Sequence, residues 1–404
     1  MRTGEVGRDS LAGNLIGAEM NRVRNGALAA GVAILALCAI GGVANPPEFF
    51  RAYLIGVLYW LGLALGCLSV LMMHHLVNGR WGFSIQRILE AGVRTLPLTL
   101  LFFLPLLLGL RELYAWARPG AAAAEEILRH KAPYLNVPFF LGRAVLYFAV
   151  WLVMGWLLTR WSVEQDRTAD PRITVWLRRL SGPGLVLYGL TMTFASIDWV
   201  MSTEIQWFST IFGAIFLVGQ TLAALGFATI VGVRLAGGRP LGRVLDSDRV
   251  HDLGNMILAF VVLWAYMAFA QYLITWSGNL PDEIVYYLHR TTGGWEIIAI
   301  LLGVFYFGFP FALLLLRAVT RHGPRLVGVA VAILIMRALD IFWMVEPSFH
   351  PGAFYLHWLT ILVPVGLGGI WLGAFLWLLQ GRPLLALHDP RFAGLLKAAG
   401  ESRS

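Results

Sequence analysis

The sequence predicts an all-α polytopic membrane protein with ten transmembrane helices. Of its 404 residues, 58% are hydrophobic and only 13% are charged, a composition outside the range of soluble domains. The mean hydropathy is +0.71. Ten apolar stretches reach the length of about 18 to 25 residues that a helix needs to cross a bilayer.

The predicted spans divide the chain into a short arm, a membrane domain and a tail. Residues 1–26 form a basic arm, and residues 381–404 form the C-terminal tail. No small-residue cleavage site follows the first span, so we interpret it as a membrane helix and not as a signal peptide. The ten spans are predicted at residues 27–44, 51–76, 88–110, 137–159, 183–202, 207–233, 254–276, 295–317, 326–346 and 358–380.

Positive charge predicts the orientation of the chain in the membrane. When Arg51 and Arg317 at the span ends are counted with the adjoining loops, 22 of the 31 Lys and Arg residues lie in the two tails and in the loops after even-numbered spans, and six lie in the other loops. Loops rich in Lys and Arg stay in the cytoplasm, so both termini are expected there. The net charge of +8 is a consequence of this topology, and no nucleic-acid partner is expected.

No redox cofactor or metal is expected in this chain. The two cysteines lie inside spans, and no CxxC or CxxCH motif is present, so neither an iron-sulfur cluster nor a c-type haem is expected. A b-type haem would need two histidines that face each other. His74 and His75 lie at the cytoplasmic end of span two, whereas His350 and His357 flank the loop between spans nine and ten on the other side.

Ionisable side chains near the cytoplasmic side are candidates for proton uptake. His74 and His75 could receive protons there, although two histidines at a helix end are also typical of a simple interface. Glu90 and Arg94 lie four residues apart in the order that favours an ion pair on one helix face. For both pairs a purely structural role remains an alternative.

Arg143 and Asp198 are predicted to contact each other. Arg143 lies about two helical turns inside span four, and Asp198 lies near the end of span five, which follows it in the chain. A charged side chain at the bilayer centre costs about 2.5 to 3.5 kcal/mol even on the most lenient scale. Each residue therefore needs a partner, and the other is the nearest candidate.

A polar elbow connects spans five and six. It consists of Ser202-Thr203-Glu204, with Trp199 before it and Trp207 after it. One interpretation is that Glu204 marks a helix end and that the tryptophans belong to an interfacial belt. The alternative is that the elbow is part of a functional site.

The second half of the chain echoes the first. Asp198 is followed by Glu204 at the outer end of span five, and Asp340 is followed at the same spacing by Glu346 at the outer end of span nine. An offset of four helices preserves orientation, so the pattern predicts parallel repeats. The predicted four-helix bundles are spans two to five, residues 51–202, and spans six to nine, residues 207–346, with spans one and ten peripheral.

Polar groups concentrate toward the periplasmic ends of the second half. Arg337 and Asp340 lie three apart on one face of span nine, either as an internal salt bridge or as part of a proton relay. A quinol site needs an apolar slot with one or two polar groups that hold the ring oxygens. The candidates for quinone binding are Trp207, Gln271, Tyr272, Glu296, His350 and His357.

The stretch SIDWVMSTEIQWFSTIFG, residues 196–213, resembles the signature of the F subunits of bacterial alternative complex III. These are quinol:cytochrome c oxidoreductases whose membrane subunits belong to the NrfD/PsrC-like family. Elsewhere the resemblance is one of span number and scattered polar positions. The family often has Pro-His before the second tryptophan, where this chain has Ile205-Gln206, so any proton-handling role of that histidine is absent here.

The resemblance implies a subunit of a respiratory complex in the bacterial cytoplasmic membrane. Its expected partners are an NrfD-like C subunit, an iron-sulfur subunit, haem c subunits and the quinone pool. Because the C subunit is usually credited with the quinol site, the resemblance implies that this chain supplies scaffold and a proton path, without a redox centre of its own. The candidate path residues are Asp198, Arg143, Glu204, Arg337, Asp340, Glu346, Glu90, Arg94, His74 and His75.

Two alternatives remain open at this point. The first is a quinol-oxidising membrane anchor of a polysulfide- or nitrite-reductase-type complex, with its own quinol site at the periplasmic end. The second is a proton- or cation-coupled secondary transporter. Transporters typically carry discontinuous helices at corresponding places in both halves, and the sequence gives no clear matching pair of breaks.

Overall fold

The computed structural model describes residues 3–77, 79–236 and 245–383. Within these ranges the chain forms helices and no strands. Ten of the helical segments are long and apolar enough to cross a membrane. The predicted fold class, an all-α multi-pass membrane protein with ten spans, is confirmed.

The observed spans are longer than the predicted ones at most ends. The helix of span one begins at Thr3, so the predicted N-terminal arm is helical from that residue. Spans six and eight are the exceptions. Span six begins at Phe212 and not at residue 207, and span eight ends at Leu314 and not at residue 317. The spans are Gly17–Ala44, Pro46–Val77, Trp81–Leu113, Val137–Thr168, Pro171–Thr203, Phe212–Leu235, Ser247–Gly278, Trp295–Leu314, Gly323–Ser348 and Trp358–Gln380.

Both termini of the described membrane domain lie on one side. We call the side where span one begins and span ten ends the terminal face, and the other side the opposite face. The loop after span three carries two short helices, Ala121–Ala124 and Glu126–Lys131. Most of the predicted C-terminal tail lies outside the described residues.

Two spans are interrupted inside the membrane layer. In span three the helix stops at Val93, resumes at Leu96 and narrows to a 3₁₀ segment at Leu104–Gly109. Pro97 and Pro105 lie just after these changes, and each proline lacks the backbone N–H that would continue the α-helical ladder. Span eight widens instead, into a π-helical segment at Leu302–Gly308.

The spans pack as two rings of four helices. Spans two, three, four and five contact one another in a closed circuit, and spans six, seven, eight and nine do the same. Span two also packs against span six, while spans one and ten pack on each other and on span two. This adjacency is the one that the predicted bundles require; the repeat relationship itself stays a prediction.

Small residues allow the two rings to approach closely. A Cβ atom added at Gly66 of span two would lie 2.1 Å from the Gln220 carbonyl oxygen of span six. One turn away, the hydroxyls of Ser69 and Thr221 lie 3.1 Å apart and bridge the same pair of helices. Close backbone approach of this kind, with hydroxyl bonds across the interface, is typical of helix packing in membranes.

Replacing Gly66 by Ala is expected to destabilise the contact between the rings. The new methyl group would meet backbone and not a flexible side chain, so spans two and six must separate, at a cost of about 1 to 3 kcal/mol. The measurement is the melting temperature of the purified protein in detergent.

The matched control is Gly328→Ala, because an added Cβ there has nothing within 4 Å. An equal effect of both substitutions would mean that helix propensity, and not the close approach, sets the result.

Candidate functional site

The predicted contact between Arg143 and Asp198 is confirmed. Arg143 donates from Nε to one carboxylate oxygen of Asp198 and from Nη2 to the other, both at 2.8 Å. The Tyr147 hydroxyl donates a third hydrogen bond at 2.8 Å. Asp198 is completely buried, and its charge is neutralised by the strongest type of side-chain pair, a bidentate one.

The surroundings of Arg143 hold its guanidinium in place. Asn136 caps span four by accepting from the Phe139 N–H, and this cap fixes the start of the helix that carries Arg143. The guanidinium lies over the Tyr134 ring at 3.8 Å and donates from Nη1 to the Tyr134 carbonyl. These contacts match both charges of the pair within the protein, and we call the pair closed. It stabilises the first ring.

The elbow between spans five and six is present but is not interfacial. Span five ends in a 3₁₀ turn at Met201–Thr203, and the chain runs without regular helix to Phe212. Trp199 and Trp207 are 1% and 2% exposed, so the interpretation of these tryptophans as an interfacial belt is wrong. Trp199 packs against Phe103 of span three and Phe148 of span four, and Trp207 is covered by a segment of the opposite face.

Lys131 fastens the elbow from outside. Its ammonium group donates to the Ile205 carbonyl at 2.5 Å. Burial lowers the pKa of Lys131. The contact ties the surface helix Glu126–Lys131 to the segment that leads into span six.

A helix that the hydropathy analysis missed covers Trp207. It runs from Pro281 to Thr291 on the opposite face, and its Tyr286 ring stacks on Trp207 with centroids 3.8 Å apart. The signals for it are in the sequence: proline at the first position, acidic residues in the first turn, and histidine and arginine in the last. We call this segment the cover helix.

Arg290 anchors the cover helix to the second ring. Its guanidinium, in a residue only 1% exposed, donates to the Met344 carbonyl at 2.8 Å and to the Ser348 hydroxyl at 2.7 Å. Glu204 of the elbow forms an ion pair with it at 3.6 Å and lies 3.2 Å from a His289 ring nitrogen. The predicted candidate Glu204 therefore belongs to an ion-pair group that joins the elbow to the cover helix.

The second buried pair lies in span nine. Arg337 donates from Nη1 to Asp340 at 2.5 Å and from Nη2 to the Phe216 carbonyl at 3.3 Å. The guanidinium occupies the space above Gly219, where an added Cβ would lie 2.4 Å from Nη1. The predicted salt bridge is present, and both residues are at most 2% exposed.

Asp340 also lines a cavity of about 640 Å³ near the opposite face of the second ring. Its wall is largely apolar and aromatic. Four of the six predicted quinone candidates line it, while His350 and His357 do not. The polar and aromatic residues of the wall include Trp207, Gln271, Tyr272, Glu296, Asp340 and Trp343.

The cavity has few polar groups, and hydrogen bonds hold them in place. Gln271 accepts from the Ser209 hydroxyl at 2.6 Å and donates to Thr275 at 3.2 Å. Glu296 accepts from the Gly294 N–H at 2.8 Å, in a turn whose φ is +101°. Tyr266 and Phe269 line the cavity and are 68% and 63% exposed, so its mouth opens on the lipid-facing side of span seven.

His350 lies in a second polar cluster, between the start of span two and the end of span nine. Its Nδ1 lies 3.1 Å from Glu346, and its Nε2 lies 3.4 Å from Arg51. Arg51 donates in turn to Glu48 at 2.7 Å. Sequence analysis missed Glu48 and Arg51, because they lie some 300 residues from Glu346 and His350 and nothing local indicates the pairing.

The donor set of this cluster is compatible with a divalent cation. Glu48, Glu346 and His350 each offer one ligand atom, all within 4.8 Å of one another, and carboxylate with imidazole suits several metals. Arg51 already supplies a positive charge there. Burial, followed by the nearby Arg51, lowers the pKa of His350, which favours the neutral ring that donates to Glu346 and accepts from Arg51.

The other predicted residues take structural positions. His357 caps span ten by accepting from the Leu359 N–H at 3.3 Å. His74 and His75 are completely buried, and the ring of His74 packs edge-on against Trp81 and Phe83. The alternative that the two histidines lie at a simple interface is therefore wrong, and their role in proton uptake stays a prediction.

Near the terminal face, Glu90 pairs with a different arginine from the one predicted. Arg87, three residues before it, donates to its carboxylate at 2.7 Å. Arg94 instead donates to the Leu378 carbonyl at 3.1 Å, because span three breaks at that residue. Arg87 also bonds Asp166 of span four, which the sequence analysis did not single out.

Fold and site together define a multi-pass membrane protein with an apolar, lipid-accessible cavity beside a buried ion pair. No protein-family model matches the chain, and no curated protein matches its sequence.

Removing the charge of Arg143 alone is expected to destabilise the protein strongly. Arg143→Met leaves the Asp198 carboxylate buried with Tyr147 as its remaining donor, which costs about 3 to 5 kcal/mol. The double variant Arg143→Met/Asp198→Leu removes both charges and is expected to be much closer to wild type. The measurement is the unfolding free energy in detergent.

The exposed Arg178, also neutralised to Met, is the control for loss of one positive charge. If the double variant were as unstable as the single one, the pair would not be the source of the effect.

Proposed function

We propose that this chain is a quinol-binding membrane subunit of a respiratory quinol:acceptor oxidoreductase, of the alternative complex III type. The observation that carries the proposal is the cavity beside Asp340. Its volume of about 640 Å³ lies within the range of about 300 to 1,000 Å³ typical of small-molecule sites. Its apolar wall with a few convergent polar groups suits a quinone ring with an isoprenoid tail.

The position of the cavity suits a substrate that is dissolved in the bilayer. Tyr266, Phe269 and Ile300 line it and are more than half exposed toward lipid. A quinol can enter sideways between spans seven and eight without passing through water. A water-soluble substrate would meet a mainly apolar wall along this route and would gain few polar contacts.

The polar groups suit the chemistry of quinol oxidation. In that reaction a quinol gives one quinone, two protons and two electrons. Asp340 is the buried carboxylate of the cavity, and its single strong partner is Arg337, so it retains acceptor capacity for a quinol hydroxyl. The electrons pass to an iron-sulfur cluster or a haem c in a partner subunit.

Orientation follows from the charge pattern. The excess of Lys and Arg at the terminal face supports a cytoplasmic location of that face. With that orientation the cavity lies toward the periplasm of a bacterial cytoplasmic membrane. A site at this end releases its protons outward, on the side where soluble electron acceptors reside. The closed Arg143–Asp198 pair contributes scaffold, and its role in a proton path stays a prediction.

The transporter alternative is less well supported. The interrupted helices are spans three and eight, and with an offset of four spans these are not counterparts. A transporter of repeated halves would place its breaks at corresponding positions.

Filling the cavity is expected to abolish quinone binding. Ala268 lines the cavity, so Ala268→Phe occupies the space of the ring. The measurement is quenching of tryptophan fluorescence by a short-tailed quinone, since Trp207, Trp264 and Trp343 line the same cavity. We expect at least a roughly tenfold weaker Kd, as loss of about 1.4 kcal/mol produces.

The matched control is Ala259→Phe, on the same helix but exposed and outside the cavity lining. Asp340→Asn and Asp198→Asn form a second pair, in which only the first is expected to weaken binding. Unchanged quenching in Ala268→Phe would remove the quinol assignment.

Membership of a redox complex is tested separately. Gentle extraction from native membranes is expected to yield the chain together with c-type haem and quinol-driven cytochrome c reduction. The measurements are the visible spectrum and the reductase rate. A colourless chain that still binds quinone would keep the cavity assignment and reject the complex, whereas a colourless chain without quinone binding would favour the transporter.

A further inference from the structure

A second recess lies at the terminal face, far from the quinol cavity. It has a volume of about 310 Å³ and is formed by spans three and four together with Arg382, which lies two residues after the end of span ten. Three of its ten lining residues are arginines and none is acidic. They are Val93, Arg94, Leu96, Pro97, Leu152, Gly155, Trp156, Thr159, Arg160 and Arg382.

The break in span three creates this recess. The helix stops at Val93, and Arg94 lies in the turn before the next helical segment begins at Leu96. Pro97 prevents a regular ladder there. On the facing helix Gly155 has no side chain, and an added Cβ would lie 2.8 Å from Val93 Cγ1, so the two helices approach closely below the opening.

The positive charge of the recess is only partly neutralised. The nearest carboxylate is Glu90, which Arg382 contacts at 3.3 Å. Glu90 already accepts from Arg87 at 2.7 Å, from Ser162 at 2.6 Å and from Gln86 at 3.0 Å. Arg87 and Arg382 together balance Glu90 and Asp166. Among the described residues, no salt bridge matches Arg94 or Arg160, so these two guanidinium groups leave the recess cationic and open to an anion.

The three arginines differ in their freedom to bind. Arg94 donates to a backbone carbonyl of span ten, and Arg382 is one-fifth exposed and reaches the carbonyl of Thr159. Arg160 is exposed, and its guanidinium lies over the Trp156 ring at 4.9 Å. Guanidinium groups match the geometry of phosphate oxygens, which each can bind through two N–H groups.

The apolar part of the recess faces lipid. Trp156 is 54% exposed on the surface of span four, and Pro97 and Leu152 continue the wall away from the arginines. A tryptophan beside arginines is typical of the level of the lipid headgroups. An anion that fits this surface has a phosphate at one end and hydrocarbon at the other.

We propose that this recess binds the headgroup of an anionic phospholipid, with its phosphate among Arg94, Arg160 and Arg382 and its acyl chains along Leu152 and Pro97. Basic pockets between membrane helices on the side that faces the cytoplasm bind such headgroups in other proteins. The bound lipid joins the end of span ten to spans three and four, and thereby closes the terminal face of the first ring.

The test is lipid retention by the full-length chain, in the assembly in which it is extracted. The protein is placed in nanodiscs with equal amounts of phosphatidylglycerol and phosphatidylcholine and then re-extracted. Native mass spectrometry gives the retained lipids, and titration with phosphatidylglycerol gives the affinity. We expect selective retention of phosphatidylglycerol by the wild type.

Neutralising two arginines is expected to weaken this binding. Arg160→Gln/Arg382→Gln should lower the affinity for phosphatidylglycerol roughly 30-fold, and Arg160→Gln alone about fivefold. Arg160 is exposed, and its described contact is with the Trp156 ring. Replacing it is therefore not expected to disturb the packing of the core. The matched control is Arg178→Gln/Arg179→Gln, which removes two exposed charges from the same face outside the recess.

Three results would overturn the proposal. Equal retention of both lipids would show that the recess does not distinguish lipids by the charge of their headgroups. An equal loss in the control variant would assign the effect to overall surface charge. Displacement of phosphatidylglycerol by inorganic phosphate at matched ionic strength would assign the recess to a soluble anion.

Discussion

A charged side chain inside the membrane layer must find its partner within the protein, and the two rings satisfy this constraint differently. In the first ring Asp198 accepts three hydrogen bonds from Arg143 and Tyr147. In the second ring Asp340 accepts one strong bond from Arg337 and faces a cavity. Because an unsatisfied buried acceptor is costly, the second ring gains more from a ligand that donates a hydrogen bond.

The same constraint determines where the helices need glycine, which has no side chain. The Arg337 guanidinium needs space between spans six and nine, and Gly219 provides it. Gly66 lets span two approach span six until a methyl group no longer fits. Helices that pack this closely exclude lipid and water from the charges, so the ion pairs and the glycines depend on each other.

Hydropathy and depth were sufficient to predict the ten spans and the contact between Arg143 and Asp198, because adjacent helices leave few choices of partner for a buried charge. They were not sufficient for Glu48, whose cluster joins the start of span two to the end of span nine. That pairing depends on how the rings face each other. The cover helix was missed because a search for long apolar runs does not detect an amphipathic segment. When the cover helix is not predicted, Trp207 is expected to be exposed.

The difference between the rings has a local cause in span eight. At Leu302–Gly308 the helix widens to a π-helical segment, and such segments occur frequently at functional sites. Leu302, Gly303 and Phe307 from this segment line the cavity. A wider turn changes the angle at which successive side chains leave the helix, and a glycine within it leaves space that a regular helix with larger side chains would fill. Span four, its counterpart under the four-span offset, is a continuous α-helix and carries the arginine that closes the first ring. The cavity therefore lies in the second ring, beside the widened segment of span eight.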